Sequence, residues 1–217
     1  MGFDIRPISH IFAIIEGKMK NNPKKREIAV AAFELFDKKG FHGTGINEII
    51  EAAGIPKGTF YHYYNSKEEV ALEVLSYYRE KITLAMDVIL CDYSKDPLDR
   101  IFSLYAQYIE SYIKKSEMPY SNFASKMSQE AGEEHPRIKD QANNVFFDIR
   151  ESISECIKEA QGFGIIDLSF DSRMLAEMII YCWEGALLRM RGTQSVEPLF
   201  IFEDIMKNLF LNARSKM

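Results

Sequence analysis

The sequence predicts an all-α fold of about nine helices. Apolar residues recur at spacings of three and four along most of the chain, which places them on one face of a helix. No stretch shows the alternation typical of a half-buried strand, and glycines and prolines separate the helical stretches. The 217 residues are 47% hydrophobic and 27% charged, which is enough apolar material for one or two globular domains.

The first predicted helix spans residues 24–39 and ends at Gly40. Its inward-facing residues are Ile28, Ala32, Leu35 and Phe36. Four basic residues lie at its start: Lys20, Lys24, Lys25 and Arg26. Because basic side chains oppose the macrodipole at a helix N-terminus, they suggest contact with phosphates rather than a gain in helix stability.

Two short helices joined by a tight turn are predicted next. Thr44 is the expected cap of the first, and Glu48 lies within reach of a reciprocal capping box. Gly54 ends this helix, since glycine enters the left-handed conformation without a steric penalty. Pro56 begins the second, which is about two turns long and packs inward through Phe60 and one aromatic of the pair Tyr63 and Tyr64.

The second short helix has a basic, hydroxylic and aromatic outer face that suits the major groove of DNA. A lysine there reaches a phosphate or a guanine edge, and a threonine reaches a base or a thymine methyl. The predicted DNA-binding residues are Thr44, Lys57, Gly58, Thr59, Tyr61, His62, Tyr64 and Lys67. The turn by itself also fits a plain three-helix domain with a solvated surface.

The string AAGIPKGTFYHYYNSKEEV resembles the helix-turn-helix signature of the TetR family of transcriptional regulators. The similarity extends from about Lys24 to Leu75. Tyr63 and Tyr64 stand where the family commonly has His and Phe. The hydroxyl of Tyr64 is added at a position that usually packs inward, so it is expected to need a DNA phosphate or a helix carbonyl as its partner.

The resemblance implies a DNA-binding domain over residues 21–67, a ligand-binding and dimerisation domain over residues 68–217, and an N-terminal extension over residues 1–20. Charge follows this division. Residues 18–67 hold nine Lys and Arg against five Asp and Glu, whereas the net charge of the chain is −5. A basic segment beside an acidic remainder fits one module that meets DNA and another that does not.

The remaining helical periodicity begins with one long helix from Ser66 to about Leu90. It has no Gly/Ser-rich linker, so it is expected to bridge the two domains and to transmit a tilt. Four further helices are predicted over residues 97–115, 137–161, 171–191 and 198–214, with a broken segment between the first two.

Aromatic and methionine side chains in this second region fit either a plain core or the lining of a pocket. The candidate ligand-binding residues are Met86, Tyr105, Phe123, Met127, Phe147 and Trp183. The ligand implied by such a lining is small and hydrophobic or aromatic.

The segment YCWEGALLRMRGTQSVEPLFIFEDIMKNLF resembles the C-terminal end of one TetR subgroup. That resemblance implies a homodimer formed by the last two helices. The candidate dimerisation residues are Gly185, Ala186, Phe202, Ile205 and Leu209. A dimer also meets a physical need, because one two-turn helix offers few base contacts and a palindromic operator doubles them.

Several classes of function find no support in the sequence. It contains neither GxSxG nor HExxH, so an enzyme is not predicted. Cys91, Cys156 and Cys182 form no CxxC pair, so neither a metal site nor a cofactor is expected. The scattered cysteines favour a reducing cytoplasm, and the apolar runs are too short to span a bilayer. The family implies a repressor released by a ligand, and a constitutive DNA-binding regulator is the alternative.

Overall fold

The structure, a computed structural model, describes Ile15, residues 21–113 and residues 123–214, with the side chains of residues 211–214 left aside. Over these residues the chain forms nine α-helices and no strand, which confirms the predicted all-α fold. The helices are α1 Pro23–Lys39, α2 Ile46–Ala52, α3 Lys57–Tyr63, α4 Lys67–Leu90, α5 Pro97–Ile113, α6 Phe123–Ala131, α7 Pro136–Gly162, α8 Ser172–Thr193 and α9 Glu197–Arg214. The N-terminal extension expected over residues 1–20 lies outside the described residues except for Ile15, which is helical and fully buried.

The described residues form two compact units. The first, called here the helix-turn-helix unit, contains Ile15, residues 21–82 and residues 123–145. The second unit contains residues 83–113 and 146–214. This division differs from the predicted boundary after Lys67, because the first part of α4, all of α6 and the first turns of α7 belong with the helix-turn-helix.

The helix-turn-helix unit is built on α1, whose ends follow from its sequence. The side chain of Asn22 accepts a hydrogen bond from the Lys25 amide, and Pro23 occupies the first turn, where its missing N–H costs nothing. Gly40 follows the helix with a φ of 81°. Ile28, Ala32 and Phe36 are buried, as predicted, and Leu35 is only half-buried. Phe33, which was not among the predicted residues, is also buried.

In the second unit, a buried cation caps the C-terminal end of α4. Arg100 of α5 is 1% exposed, and its guanidinium donates a hydrogen bond of 2.7 Å to the carbonyl oxygen of Leu90. It also forms an ion pair with Glu159 of α7. A positive charge is favourable at this end of a helix, where carbonyl groups lack intrahelical partners.

Two features are absent from the described part of the chain. None of its helices combines the length and the apolar character needed to cross a bilayer. Its His, Cys, Asp and Glu side chains come together nowhere in a group of three or more that is fit to hold a metal ion.

Candidate nucleic-acid interface

α2 begins one residue later than expected, and Glu48 fixes its start. The helix cap is Gly45, whose amide donates a hydrogen bond of 2.9 Å to the Glu48 carboxylate. Lys39 contacts the same carboxylate. Both interactions lower the pKa of Glu48, and the contact with Lys39 has the larger effect. Thr44 is therefore not the cap, and its hydroxyl instead donates to the carbonyl oxygen of Gly40 at 2.7 Å.

The turn between α2 and α3 has the predicted form. Gly54 has a φ of 62°, which confirms the left-handed end of α2. The amide of Ile55 donates to the carbonyl oxygen of Ile50 at 3.2 Å, and this closes the turn. Pro56 caps α3, and Phe60 anchors that helix with a fully buried ring. The two short helices thus meet through the protein core and leave one side of α3 to solvent.

That outer side of α3 brings together five of the eight predicted DNA-binding residues. Lys57, Gly58, Tyr61 and His62 are exposed, and Thr59 is half-buried. The ammonium group of Lys57 lies 5.9 Å from the centre of the Tyr61 ring, which holds the lysine along the helix surface. A methyl group at Gly58 would meet no described atom within 4 Å, so packing inside the protein does not require glycine there.

The other three predicted residues point inward. Thr44 and Tyr64 are 1% and 3% exposed. Lys67 is half-buried, and its ammonium group donates to the carbonyl oxygens of Phe41 and Thr44 at 2.6 and 2.8 Å. This geometry of the free protein does not support a DNA contact for these side chains, because each one lies against the interior of the unit.

Tyr64 lies in a small polar group between α1 and α4. Its hydroxyl is buried and, among the described residues, does not donate to a helix carbonyl, which is one of the two partners expected for it. Burial and the nearby Glu73 carboxylate raise the pKa of Tyr64. Glu73 also pairs with Lys25 at 2.8 Å and accepts a hydrogen bond from Tyr77 at 2.6 Å. Lys25, expected at a phosphate, is thus held against the protein.

The predicted ligand-binding residues are divided between the two units. Phe123 and Met127 are buried in the helix-turn-helix unit, where the Phe123 ring lies 4.9 Å from that of Phe33. Phe147 of the second unit is 52% exposed. The remaining three, Met86, Tyr105 and Trp183, are buried in the second unit.

An aromatic cluster surrounds Trp183 in the second unit. The ring centres of Tyr105 and Phe202 lie 5.2 and 5.3 Å from that of Trp183. Tyr108 lies 6.1 Å from it. Burial raises the pKa of Tyr108 to about 12. Burial also raises the pKa of Tyr105, so both tyrosines keep their hydroxyl protons at physiological pH.

The predicted dimerisation residues occupy α8 and α9 in two ways. Ala186 and Phe202 are buried in the second unit itself, whereas Gly185 is exposed and Ile205 and Leu209 are 49% and 55% exposed. A cleft of about 460 Å³ lies between the two helices. Its lining is mostly apolar and comprises Cys182, Gly185, Ala186, Arg189, Thr193, Glu197, Pro198, Ile201, Phe202, Ile205 and Met206.

The sequence analysis did not predict the contacts that α6 makes with the helix-turn-helix. The Glu130 carboxylate accepts a hydrogen bond from the His42 amide at 3.3 Å, and Lys126 donates to the carbonyl oxygen of Asp37 at 2.8 Å. The spacing of Phe123, Lys126 and Glu130 does predict one helix face. Nothing in the sequence shows which other helix that face meets, since its partners lie almost 90 residues away.

A short helix with an exposed basic and aromatic side, set on a buried aromatic anchor after a tight turn, defines a helix-turn-helix DNA-binding protein. The sequence profile described as "Bacterial regulatory proteins, tetR family" matches residues 28–74. A second, described as "Tetracyclin repressor-like, C-terminal domain", matches residues 97–205. The chain belongs to the TetR family and is a transcriptional regulator of that family.

Individual relatives agree with this assignment. The HTH-type transcriptional repressor DhaR of Mycobacterium sp. (strain GP1) is 26% identical over 181 residues, which is 83% of this chain and 89% of DhaR. The transcriptional regulator AcuR of Cereibacter sphaeroides is 28% identical over 172 residues, 79% of this chain and 78% of AcuR. The crystal structure of reduced Escherichia coli NemR matches with a TM-score of 0.78 at 22% identity, covering 85% of this chain and 95% of NemR. At that identity the match shows a common fold.

Proposed function

We propose that this regulator is a dimeric repressor that binds a palindromic operator and is released by a small hydrophobic or aromatic ligand. The single observation that supports it most is the outer side of α3, with exposed Lys57, Gly58, Tyr61 and His62 around Thr59. In this proposal α3 lies in the major groove. Lys57 and Thr59 face base edges, and Tyr61 and His62 hold phosphates on either side.

Dimerisation through α8 and α9 is supported by apolar side chains left in solvent. Beside Ile205 and Leu209, the exposed set on these helices includes Tyr181, Leu188 and Ile201. Tyr181 and Leu188 share one side of α8, and Ile201, Ile205 and Leu209 share one side of α9, because they are spaced by four or seven residues. Exposed apolar sides of this kind are typical of a protein–protein interface. A twofold dimer places two α3 helices on the protein, and a palindromic site supplies one half-site for each.

Ligand release is supported by the aromatic cluster around Trp183. Aromatic rings with a few polar groups are the usual lining of small-molecule sites, and Tyr105 and Tyr108 supply both. Release requires that the ligand bind one conformation better than the other, and typical couplings are about 1–3 kcal/mol. Repression rather than activation is proposed because DhaR and NemR are both named repressors.

The test is fluorescence-anisotropy binding of the purified protein to DNA from upstream of its own gene, with random DNA beside it and salt varied. Tight binding to a palindromic segment with a steep salt dependence is expected. An equal affinity for both DNAs would contradict the proposal. A screen for compounds that raise thermal stability and lower operator affinity then separates a ligand-released repressor from a constitutive DNA binder, for which no compound does both.

A further inference from the structure

One face of α6 is directed at the helix-turn-helix. Phe123, Lys126, Met127 and Glu130 are spaced by three, four and seven residues, so they share one side of the helix. We call these four residues the α6 face. Their contacts lie within the helix-turn-helix unit, although the sequence resemblance assigns α6 to the ligand-binding domain.

The apolar half of the α6 face packs into the core between α1 and α4. The ring of Phe123 lies 4.9 Å from that of Phe33 on α1 and 5.3 Å from that of Tyr78 on α4. Met127, one turn further along, is fully buried. These contacts hold α6 against α1 and α4.

The polar half of the α6 face reaches the end of α1 and the turn that follows it. Lys126 donates a hydrogen bond of 2.8 Å to the carbonyl oxygen of Asp37, which lies in the last turn of α1, where a cation is favourable. The Glu130 carboxylate accepts from the His42 amide. The His42 ring nitrogen Nε2 lies 2.5 Å from the backbone carbonyl oxygen of Glu130.

The Glu130 carboxylate also rests directly on the backbone of Gly40. A methyl group added at Gly40 would lie 2.1 Å from both carboxylate oxygens, which is far inside van der Waals contact. With a φ of 81°, Gly40 already adopts a conformation that favours glycine. The close approach gives a second reason for glycine at this position, because any side chain would displace Glu130.

The turn over residues 40–45 leads straight into α2. Its carbonyl groups at Phe41 and Thr44 accept hydrogen bonds from Lys67 at the start of α4. The turn is therefore held from two sides, by Lys67 and by Glu130. Because Gly45 in the turn caps α2, a shift of the turn moves the start of α2 and, through the tight connection that follows, α3.

We propose that Glu130 and Lys126 are positioning residues for DNA binding, and that the α6 face sets operator affinity by holding the turn over residues 40–45. This inference rests on the proposed binding of an operator by α3. It assigns to α6 a role in DNA recognition without any contact with DNA. A change in α6 alters operator affinity through the turn.

The test compares Glu130→Ala with Glu133→Ala in the full chain. Glu133 is an exposed glutamate three residues further along, so its substitution removes the same charge. Glu130→Ala should lower operator affinity about tenfold relative to Glu133→Ala, the size expected for losing a charged hydrogen-bond partner. Glu130→Gln keeps an acceptor for the His42 amide and should bind within about twofold of Glu133→Gln.

A second readout does not depend on DNA. In the free protein, Glu130→Ala should speed amide hydrogen exchange over residues 40–48 and leave exchange in α8 unchanged. Equal operator affinity for Glu130→Ala and Glu133→Ala, or unchanged exchange over residues 40–48, would overturn the inference. If the wild-type chain shows no operator preference, the proposed function fails and the exchange result alone decides the positioning role. Should Glu130→Ala not fold, Lys126→Met takes its place in both measurements.

Discussion

The ammonium group of Lys67 donates a hydrogen bond of 2.8 Å to the carbonyl oxygen of Thr44. It makes a second bond to the carbonyl oxygen of Phe41 and lies 4.2 Å from the centre of the Phe41 ring. Burial lowers the pKa of Lys67, and the Glu130 carboxylate opposes that shift. Lys67 at the start of α4 thus holds the turn before α2 in place. Its position close to α3 in the sequence suggests a DNA contact instead.

Replacing Lys67 by methionine should destabilise the protein by about 1–3 kcal/mol, since two backbone carbonyl groups lose a charged donor. DNA affinity should fall while the salt dependence of binding stays the same. Lys57→Met is the matched control, because Lys57 is exposed and is proposed to meet DNA. That variant should keep its stability and lower the salt slope by about one unit. Thermal unfolding and salt-dependent anisotropy measure both. If Lys67→Met lowers the salt slope of DNA binding, Lys67 contacts DNA after all.

The sequence predicts those features of the helix-turn-helix that depend on a single residue better than those that depend on contacts between distant residues. The end of α2 at Gly54 and the start of α3 after Pro56 follow from single residues and were predicted correctly. The inward direction of Thr44 and Lys67 was not, because it depends on the carbonyl groups of Gly40 and Phe41, brought close only in the folded turn. A polar residue near a recognition helix has two possible directions, and its identity alone does not choose between them.

The substitution Gly58→Ala tests how closely DNA approaches α3. Alanine in place of a helical glycine stabilises a helix by roughly 0.5–1 kcal/mol. Because no described atom lies near the space that the new methyl would fill, Gly58→Ala should raise the melting temperature of the free protein. The same methyl should obstruct the DNA surface and lower operator affinity.

The matched control for this change is Gly162→Ala at the end of α7, where a methyl also meets no described atom within 4 Å. It should leave DNA affinity unchanged. If Gly58→Ala binds the operator as tightly as the wild-type chain, α3 does not approach DNA at Gly58, and the proposed contact surface must be moved.

Thr59 and Tyr61 should separate base reading from phosphate binding. Thr59→Ala is expected to relax discrimination at one base pair of each half-site, by about tenfold if the lost contact is of ordinary strength. Tyr61→Phe keeps the ring beside Lys57 and removes only a hydroxyl, so it should weaken binding to all sequences alike. Binding to a set of operators with single base-pair changes measures both effects. An equal loss on operator and random DNA for Thr59→Ala would refute its role as a base reader.

The candidate ligand residues show what composition leaves open. Trp183 and Tyr105 were selected as large side chains in an apolar helical pattern, and they do lie together, 5.2 Å between ring centres. Phe123 satisfies the same pattern, yet its ring packs on Phe33 in the helix-turn-helix unit. Helical spacing identifies the buried side of α6, but the residues that cover that side come from a distant part of the chain.

The apolar surface of α8 and α9 should control oligomeric state. The double substitution Ile205→Glu and Leu209→Glu places two charges on exposed apolar positions, where they cost little in a monomer and much in a buried interface. The variant should run as a monomer in sedimentation and lose operator affinity. Leu168→Glu, at an exposed leucine before α8, is the control and should remain dimeric. A dimeric double variant would show that the subunits meet elsewhere.

The three cysteines offer an independent test of the same interface. Cys156 is buried, and burial raises its pKa to about 11, so at pH 8 only about one thiol in a thousand is the reactive thiolate. It should resist alkylation until the protein unfolds, whereas exposed Cys91 should react at once. Cys182 lines the cleft between α8 and α9, so a dimer should protect it and the Ile205→Glu, Leu209→Glu variant should expose it. Labelling at pH 8 followed by peptide mass mapping measures all three rates. If the variant is monomeric, equal Cys182 rates in wild-type and variant would place the dimer interface away from this cleft, because a thiol in a covered cleft cannot react at the rate of one in solvent.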